Sequence, residues 1–481
     1  MATSTRKPVQ LVRGLGLWAA TAIVVGTIIG QSVFLAASDV SREVNSTGKV
    51  LLVWIAGGCI VLFGVLCYAE LGAAFPEVGG DYVYLGRGLG EVWGFLFGWT
   101  SCMVVKPAAA AMIAAGMLRF VTFLLPSVST VLFVWSIHEP LRSQPYSFRF
   151  TAAQPLAAGV VLLVTAVNYF GVRMMGRFQI VLTALKVAVV ASILVLGLTA
   201  RTESHPTAVA HFPAHAPIVA FLTALVPVMA AYNGFQSLGA LGGELVEPRR
   251  NLPRAVICGT SLVVVLFILI NWVYFRILTF SEVAQSQHVA SDAVSRLLGQ
   301  AGARYFTVAM IISALGSLHS GFLTGPRITY AMARDSKFFA FAGRLQPRFR
   351  TPSGALLLQG CMTILLVMTG THEELYSYAM FATWTFLAFT PIALIRLRCA
   401  EPNLQRPFRV WAYPWTPAIF GVAATAISIN LWLLRPVRSS IGLAIILSGL
   451  WFFYRWRSPQ TDRSEGTRYG VRTSNRATDA A

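Results

Sequence analysis

A glycine-containing stretch near the start of the chain, Gly26–Phe34 (GTIIGQSVF), has the composition of a ligand site inside a membrane. It lies in an uncharged run, Leu15–Ser38, whose 24 residues suffice to cross about 30 Å of hydrocarbon as a helix. Glycines, β-branched side chains and polar groups weaken the middle of that helix. Because unpaired backbone N–H and C=O groups are costly in lipid, a break here must face protein, water or a ligand. The alternative is a close helix–helix contact through small residues.

A second apolar run is interrupted in the same way, by proline and glycine. It contains Pro227–Phe235 (PVMAAYNGF) and continues through further glycines to Glu244, five helices after the first break. Interruptions at corresponding positions of two halves are typical of an inverted repeat with a binding site between the broken helices. The pairing therefore favours the binding-site interpretation of Gly26–Phe34.

Two lysines lie within apolar runs, where a charge is a functional-site hypothesis by default. Lys186 is about halfway along its run, which favours a buried role over a side chain that reaches the interface. Lys106 precedes Pro107, and a structural role beside a carbonyl freed by the proline is favoured for it.

Composition identifies the elements that must position these residues. The chain has 481 residues, of which 56% are hydrophobic and 12% charged, and its mean hydropathy is +0.65. Soluble proteins carry about 25% charged residues, so we expect a polytopic helical membrane protein. The first run is too long for the core of a cleavable signal peptide. The twelve predicted spans are 15–38, 50–69, 92–118, 152–172, 178–200, 216–243, 255–275, 305–326, 353–371, 375–395, 415–434 and 439–454.

The net charge of +19 is explained by the excess of Lys and Arg that membrane proteins carry on their cytoplasmic side. With the N-terminus inside, the tails and the loops after even-numbered spans hold 25 Lys and Arg residues, against 11 on the opposite side. This asymmetry predicts that both termini are cytoplasmic. The basic loop between Pro326 and Pro352 is then an anchor to anionic membrane lipids, and no nucleic acid is expected as a partner.

Other classes of protein are disfavoured. The seven histidines are scattered, no Walker-type phosphate loop occurs, and none of the six cysteines has metal-site spacing. We therefore predict no enzyme activity, no metal and no cofactor, and we expect the cysteines to be free thiols packed as small apolar residues.

Five strings, in this order, resemble one family of membrane proteins. They are GTIIGQSVF, CYAELGAAFPEVGGDYVYL, AAYNGFQSLGALGGELVEPRRNLPRAV, SALGSLHSGFLTGPRITYAMARD and EPNLQRPFRVWAYPWTPAIF. Together they resemble the amino acid–polyamine–organocation superfamily, and within it the L-type amino-acid transporters and their bacterial relatives. The resemblance covers about residues 11 to 435.

The resemblance implies an all-α fold of twelve transmembrane helices, with a 5+5 inverted repeat, broken helices 1 and 6, and helices 11 and 12 added outside. The expected organisation is a cytoplasmic tail (1–14), a first repeat (15–200), a second repeat (216–398), the added helices (415–454) and a disordered cytoplasmic tail (455–481).

The resemblance also implies a site for an amino acid between the broken helices. Backbone N–H groups of Gly30, Gln31 and Ser32 would hold the carboxylate, as expected of a positive helix end. Carbonyls at Ile28, Ile29 and Ala230 would meet the ammonium group. The side-chain end would be lined by Tyr232, Asn233 and Gly234, with Ala231 in the same stretch.

Three departures from the family bear on function. The family usually has Gly-Ser-Gly where this chain has Gly30-Gln31-Ser32, and the loss of the second glycine makes the break stiffer in this chain. Mammalian L-type members have a large aromatic residue at the position of Ala230. They also join a glycoprotein through a cysteine after helix 3, and because residues 126–150 contain none, no disulfide-linked heavy chain is expected.

Lys186 matches a family lysine that stands where sodium-coupled members of the fold hold their ion. The resemblance thus implies a sodium-independent neutral amino-acid exchanger or permease in the plasma (inner) membrane, working by alternating access. The alternatives are a cationic amino-acid or polyamine transporter of the same superfamily, or a transporter-like substrate sensor. A dication would need a buried acid, and Asp39, Glu70 and Glu244 all fall near the ends of spans.

Overall fold

The computed structural model describes residues 11–30, 32–137, 146–199, 217–286, 288–369 and 372–456. This part of the chain is mostly helical. Nine of its helices are long and apolar enough to cross a membrane, and three shorter apolar helices accompany them. The helices are α1 Leu17–Ile28, α2 Ser32–Glu43, α3 Thr47–Ala74, α4 Asp81–Leu89, α5 Glu91–Thr100, α6 Lys106–Leu124, α7 Ala153–Tyr169, α8 Val172–Thr199, α9 Pro217–Ala231, α10 Pro248–Ile277, α11 Phe280–Gln285, α12 Val289–Arg334, α13 Ser353–Thr369, α14 His372–Ala400, α15 Trp415–Leu434 and α16 Pro436–Trp456.

Close packing between helices depends on glycines that face large apolar side chains. A Cβ added at Gly57 would lie 2.5 Å from Val228, and one at Gly64 would lie 2.5 Å from Phe420. Small residues at such contacts let helix backbones approach, which is how helices associate where no water drives them together. The first helix, α1, packs in this way within a bundle that includes α8, α10 and α12.

Proline, paired glycines and acidic residues in Phe75–Tyr84, which follows α3, predict a cytoplasmic loop with its tyrosines at the membrane interface, and the structure differs from that prediction. The chain forms α4 there, and Tyr82 and Tyr84 are buried. Gly79 and Gly80 have φ values of 127° and 56°, which turn the chain back towards the bundle. A Cβ at Gly80 would lie 2.8 Å from the backbone nitrogen of Ala240, so this turn rests directly on the segment that follows α9.

One antiparallel hairpin departs from the predicted all-α fold. Its strands are β1 Val131–Ile137 and β2 Tyr146–Thr151, and the rings of Phe133 and Phe150 stack at 4.6 Å between centroids. The run VLFVW is rich in β-branched and aromatic residues, which favour a strand once the chain has left the membrane.

Cysteine burial agrees with the sequence only in part. Cys67 and Cys102 are buried free thiols, whereas the other four, Cys59, Cys258, Cys361 and Cys399, are exposed. A small apolar side chain is tolerated on a surface that meets lipid, so hydrophobicity alone does not predict the burial of a cysteine here.

Candidate functional site

The first break separates α1 from α2 at the glycine-containing stretch. The helix ends with a bond of 2.8 Å from the N–H of Ile29 to the carbonyl of Val25, and the N–H of Gly30 donates to the carbonyl of Ile28 at 2.8 Å. The Gly30 N–H is thus already paired, unlike in the predicted carboxylate cradle. The first-turn N–H groups of α2 have no partners within their own helix, and they are the ones able to attract an anion. Gln31, and the side chain of Ser32, fall outside the described structure.

Lys186 of α8 binds the freed carbonyls of the first break. Its Nζ lies 2.8 Å from the carbonyl oxygen of Gly26, 2.9 Å from that of Ile29 and 2.7 Å from Oγ of Ser317. The lysine is buried, at 2% exposure. Its three N–H donors therefore meet three oxygens, and it joins the end of α1 to α8 and α12.

The second break begins where α9 ends, at Ala231. Gly234 has a φ of 126°, and its Cβ position lies 3.2 Å from the backbone carbonyl carbon and oxygen of Thr27, so only glycine fits there. Gln236 closes the turn, since its Nε2 donates to Oδ1 of Asn233 at 2.8 Å and its Oε1 accepts from the N–H of Gly234 at 3.1 Å. The two breaks thus lie against each other.

A cavity of about 290 Å³ opens at these breaks. Its volume is close to the lower end of small-molecule sites. Its walls come from α1, α6, α9, α12, α14 and the segment after α9. The lining residues are Thr27, Ile28, Gly30, Val105, Lys106, Ala109, Ala110, Met112, Ile113, Ala230, Asn233, Gly234, Gln236, Ser237, Ser317, Leu318, Gly321, Thr324, Tyr376, Ala379, Met380 and Thr383.

Five of the predicted site residues line this cavity: Ile28, Gly30, Ala230, Asn233 and Gly234. Ile29, Ala231 and Tyr232 do not line it.

The carbonyl of Ile29 points to Lys186 instead, and Ala231 is buried. Tyr232 is buried with its ring 5.2 Å from that of Phe267 and 5.7 Å from that of Trp54. The ring of Tyr232 thus packs the turn after α9 against α3 and α10, and the sequence does not distinguish that role from a place in the site.

The cavity also takes walls from α6, α12 and α14, which the sequence does not predict as parts of the site. The sequence favours a structural role for Lys106, and in the structure Lys106 lines the cavity. The polar lining from α12 and α14 consists of hydroxyl-bearing side chains: Ser317, Thr324, Tyr376 and Thr383. On α12 the sequence does show small residues at helical spacing: Ser317, Ser320, Gly321 and Thr324.

A buried ion pair holds the end of the second break to α12. Arg327 donates to Glu244 through Nε at 2.7 Å and Nη2 at 3.1 Å, and both side chains are 1% exposed. The carbonyl of Glu244 also accepts the N–H groups of Gly14 and Leu15, at 2.9 and 3.1 Å. One residue therefore links the chain before α1, the second break and α12.

The structure combines two interrupted helices, a cavity that both of them line, and a lysine that donates hydrogen bonds to the freed carbonyls of the first break. This combination is typical of a membrane transport protein of the broken-helix class. A family model described as amino acid permease matches residues 15–454. The chain belongs to the amino acid permease family, whose members carry solutes and are not enzymes.

Individual relatives agree with this assignment. The chain is 30% identical over 461 residues to the b(0,+)-type amino acid transporter 1 of Mus musculus, covering 93% of this chain and 88% of the relative. It is 30% identical over 450 residues to the serine/threonine exchanger SteT of Bacillus subtilis, covering 92% and 97%. It is 31% identical over 450 residues to the large neutral amino acids transporter small subunit 2 of Mus musculus, covering 92% and 80%.

Proposed function

We propose that this protein is a sodium-independent exchanger of neutral amino acids that works by alternating access. The observation that carries the proposal is the pairing of Lys186 with the carbonyls of Gly26 and Ile29. A fixed ammonium group there supplies a positive charge at the break without a bound metal cation. Coupling to sodium therefore has no role at this position.

The charge of the cavity supports a neutral substrate. None of its described lining residues is an acid, and Lys106 is the charged side chain among them. A cationic amino acid or a polyamine would meet a like charge, and no acidic residue among the described lining could bind its additional cationic group. A zwitterion places its carboxylate at the N-terminus of α2 and its ammonium near the carbonyls of Ile28 and Ala230.

The wider arrangement belongs to the same proposal. Nine long apolar helices and three shorter ones support twelve spans in a 5+5 inverted repeat, with 15–200 and 216–398 as the two halves. The distribution of Lys and Arg supports cytoplasmic termini in a plasma (inner) membrane. One relative is named as a small subunit. The absence of cysteine from residues 126–150 supports function without a disulfide-linked heavy chain.

The test is flux into proteoliposomes that contain the purified protein. Vesicles preloaded with unlabelled serine should accumulate labelled serine or alanine faster than empty vesicles, equally in sodium and in choline buffer. Arginine and putrescine should compete weakly. Binding without flux would identify a sensor instead, and uptake that requires sodium would overturn the proposal.

A further inference from the structure

A second, smaller chamber adjoins the substrate cavity. Its volume is about 40 Å³, room for one or two water molecules. Five residues line both spaces: Val105, Lys106, Gln236, Ser237 and Thr383. The two spaces therefore share one wall, and Lys106 is the charged side chain among the described residues of that wall.

Asp81 contributes a carboxylate to the small chamber. It is the first residue of α4, outside the membrane-spanning helices, and is 5% exposed. Its Oδ1 accepts the Tyr68 hydroxyl of α3 and, at 3.5 Å, the Thr390 hydroxyl of α14. The other titratable groups that act on it are Tyr84 on its own helix and Lys106 on α6. The described lining from α12 and from the segment after α9 adds no titratable side chain.

Lys106 lies between the two spaces. Its side chain is half-buried, it lines both the small chamber and the substrate cavity, and its positive charge favours the ionised form of Asp81. With both groups ionised, the charges of Lys106 and Asp81 offset each other. With Asp81 neutral, the cavity wall carries an unbalanced cation in a site of low dielectric, where charge interactions are strong.

We propose that Asp81 and Lys106 form a charge pair that sets the substrate charge accepted by the cavity. With Asp81 ionised, the cavity favours zwitterionic amino acids. With Asp81 neutral, it favours amino acids that carry a net negative charge, and it disfavours cationic ones more strongly. This inference rests on the proposed amino-acid transport, and it identifies Asp81 as a specificity-determining residue that acts through Lys106.

The pair responds to pH in the neutral range. Burial raises the pKa of the Asp81 carboxyl to about 7, against the opposing hydrogen bond from Tyr68 and the charge of Lys106. As the pH falls through that value, Asp81 gains a proton and Lys106 loses its counter-charge. Glutamate remains an anion from about pH 6 to 8, because its side-chain pKa is about 4.3. Competition by glutamate should therefore strengthen as the pH falls.

The experiment compares inhibition of labelled alanine uptake by glutamate and by serine, in proteoliposomes at pH 6 and pH 8. Four proteins are needed: wild type, Asp81→Asn, Lys106→Met and the double variant. For wild type, the glutamate-to-serine inhibition ratio should rise about tenfold between pH 8 and pH 6. Asp81→Asn should show the high ratio at both pH values. Both variants that lack Lys106 should show a low ratio throughout.

The outcomes separate this inference from the proposed function. Absence of alanine uptake by folded wild-type protein would refute neutral amino-acid transport itself. If alanine is taken up but the glutamate-to-serine inhibition ratio changes neither with pH nor in Asp81→Asn, the charge pair alone would be overturned. If Asp81→Asn does not fold, the test is to compare wild type with Lys106→Met at pH 6 and pH 8. A glutamate-to-serine inhibition ratio that still depends on pH in Lys106→Met would overturn the proposal.

Discussion

The Nζ atom of Lys186 lies 2.9 Å from the carbonyl oxygen of Ile29, and this bond decides which groups of the first break remain open to a ligand. The same carbonyl accepts the Ser317 hydroxyl at 3.1 Å. The carbonyl of Ile29 therefore already accepts two hydrogen bonds, and the substrate ammonium is left to Ile28 and the second break. The first break is therefore held in shape by Lys186 on α8, which lies about 150 residues further along the chain.

Removing the charge of Lys186 should reduce transport at least tenfold. Lys186→Met keeps most of the side-chain volume but leaves the carbonyls of Gly26 and Ile29 without their strongest donor, and each unsatisfied buried group costs about 1–3 kcal/mol. The measurement is initial uptake of serine at matched amounts of reconstituted protein.

Gly316→Ala provides an independent route to the same defect. A Cβ at Gly316 would lie 2.7 Å from Cε of Lys186, so the lysine must shift. Gly159→Ala is the matched control, because its Cβ meets nothing within 4 Å. Near-normal uptake by both Lys186→Met and Gly316→Ala would show that the Lys186 contacts do not support transport.

The sequence predicted the parts of the site that follow from the cost of an open backbone in lipid. Glycine and proline within apolar runs located both breaks, and a lone charge in an apolar run located Lys186. These signals are local, so they can be read from neighbouring residues.

The remaining parts depend on distant contacts. Nothing near Tyr232 in the sequence shows that its ring packs between Trp54 and Phe267. The buried position of Asp81 depends on the turn at Gly79 and Gly80, which carries a hydrophilic segment back into the bundle. Hydropathy places that segment in a loop, and only the packing of α4 against the bundle places its carboxylate beside the site.

A bulky side chain at Gly30 should block the site without unfolding the protein. Gly30 does not require a positive φ, and the nearest atoms to its Cβ position are 3.9 Å away, so valine fits the backbone and fills part of the cavity. Gly30→Val should abolish stabilisation of the purified protein by its amino-acid substrate in a thermal-shift assay. Its melting temperature without ligand should stay within about 4 °C of wild type. Gly159→Val controls for a valine added where it meets no neighbouring atoms, and full ligand stabilisation of Gly30→Val would place the substrate elsewhere.

The ion pair between Arg327 and Glu244 should dominate the stability of its region. Arg327→Met leaves a buried carboxylate without its partner, a change that typically costs about 3–5 kcal/mol. The double variant Glu244→Gln/Arg327→Met removes the uncompensated charge and should recover a large part of the loss. Thermal unfolding of the two variants in one detergent makes the comparison. Equal melting temperatures would show that the two charges do not depend on each other.

Side-chain selectivity should depend on Ala230, which lines the cavity beside the second break. A phenylalanine at this position adds several carbons to a space of about 290 Å³ and removes room for a larger substrate side chain. Each methylene of substrate that still fits contributes roughly 0.8 kcal/mol, so the loss should grow with substrate size. Ala230→Phe is therefore expected to weaken leucine more than serine, by about tenfold in the ratio of uptake. Gly321→Ala is the control, because it narrows a different wall of the cavity and its Cβ position meets nothing within 4 Å. Ala231→Phe would not serve as a control, because Ala231 is buried away from the cavity. An unchanged or higher ratio of leucine to serine in Ala230→Phe would mean that the substrate side chain points away from α9.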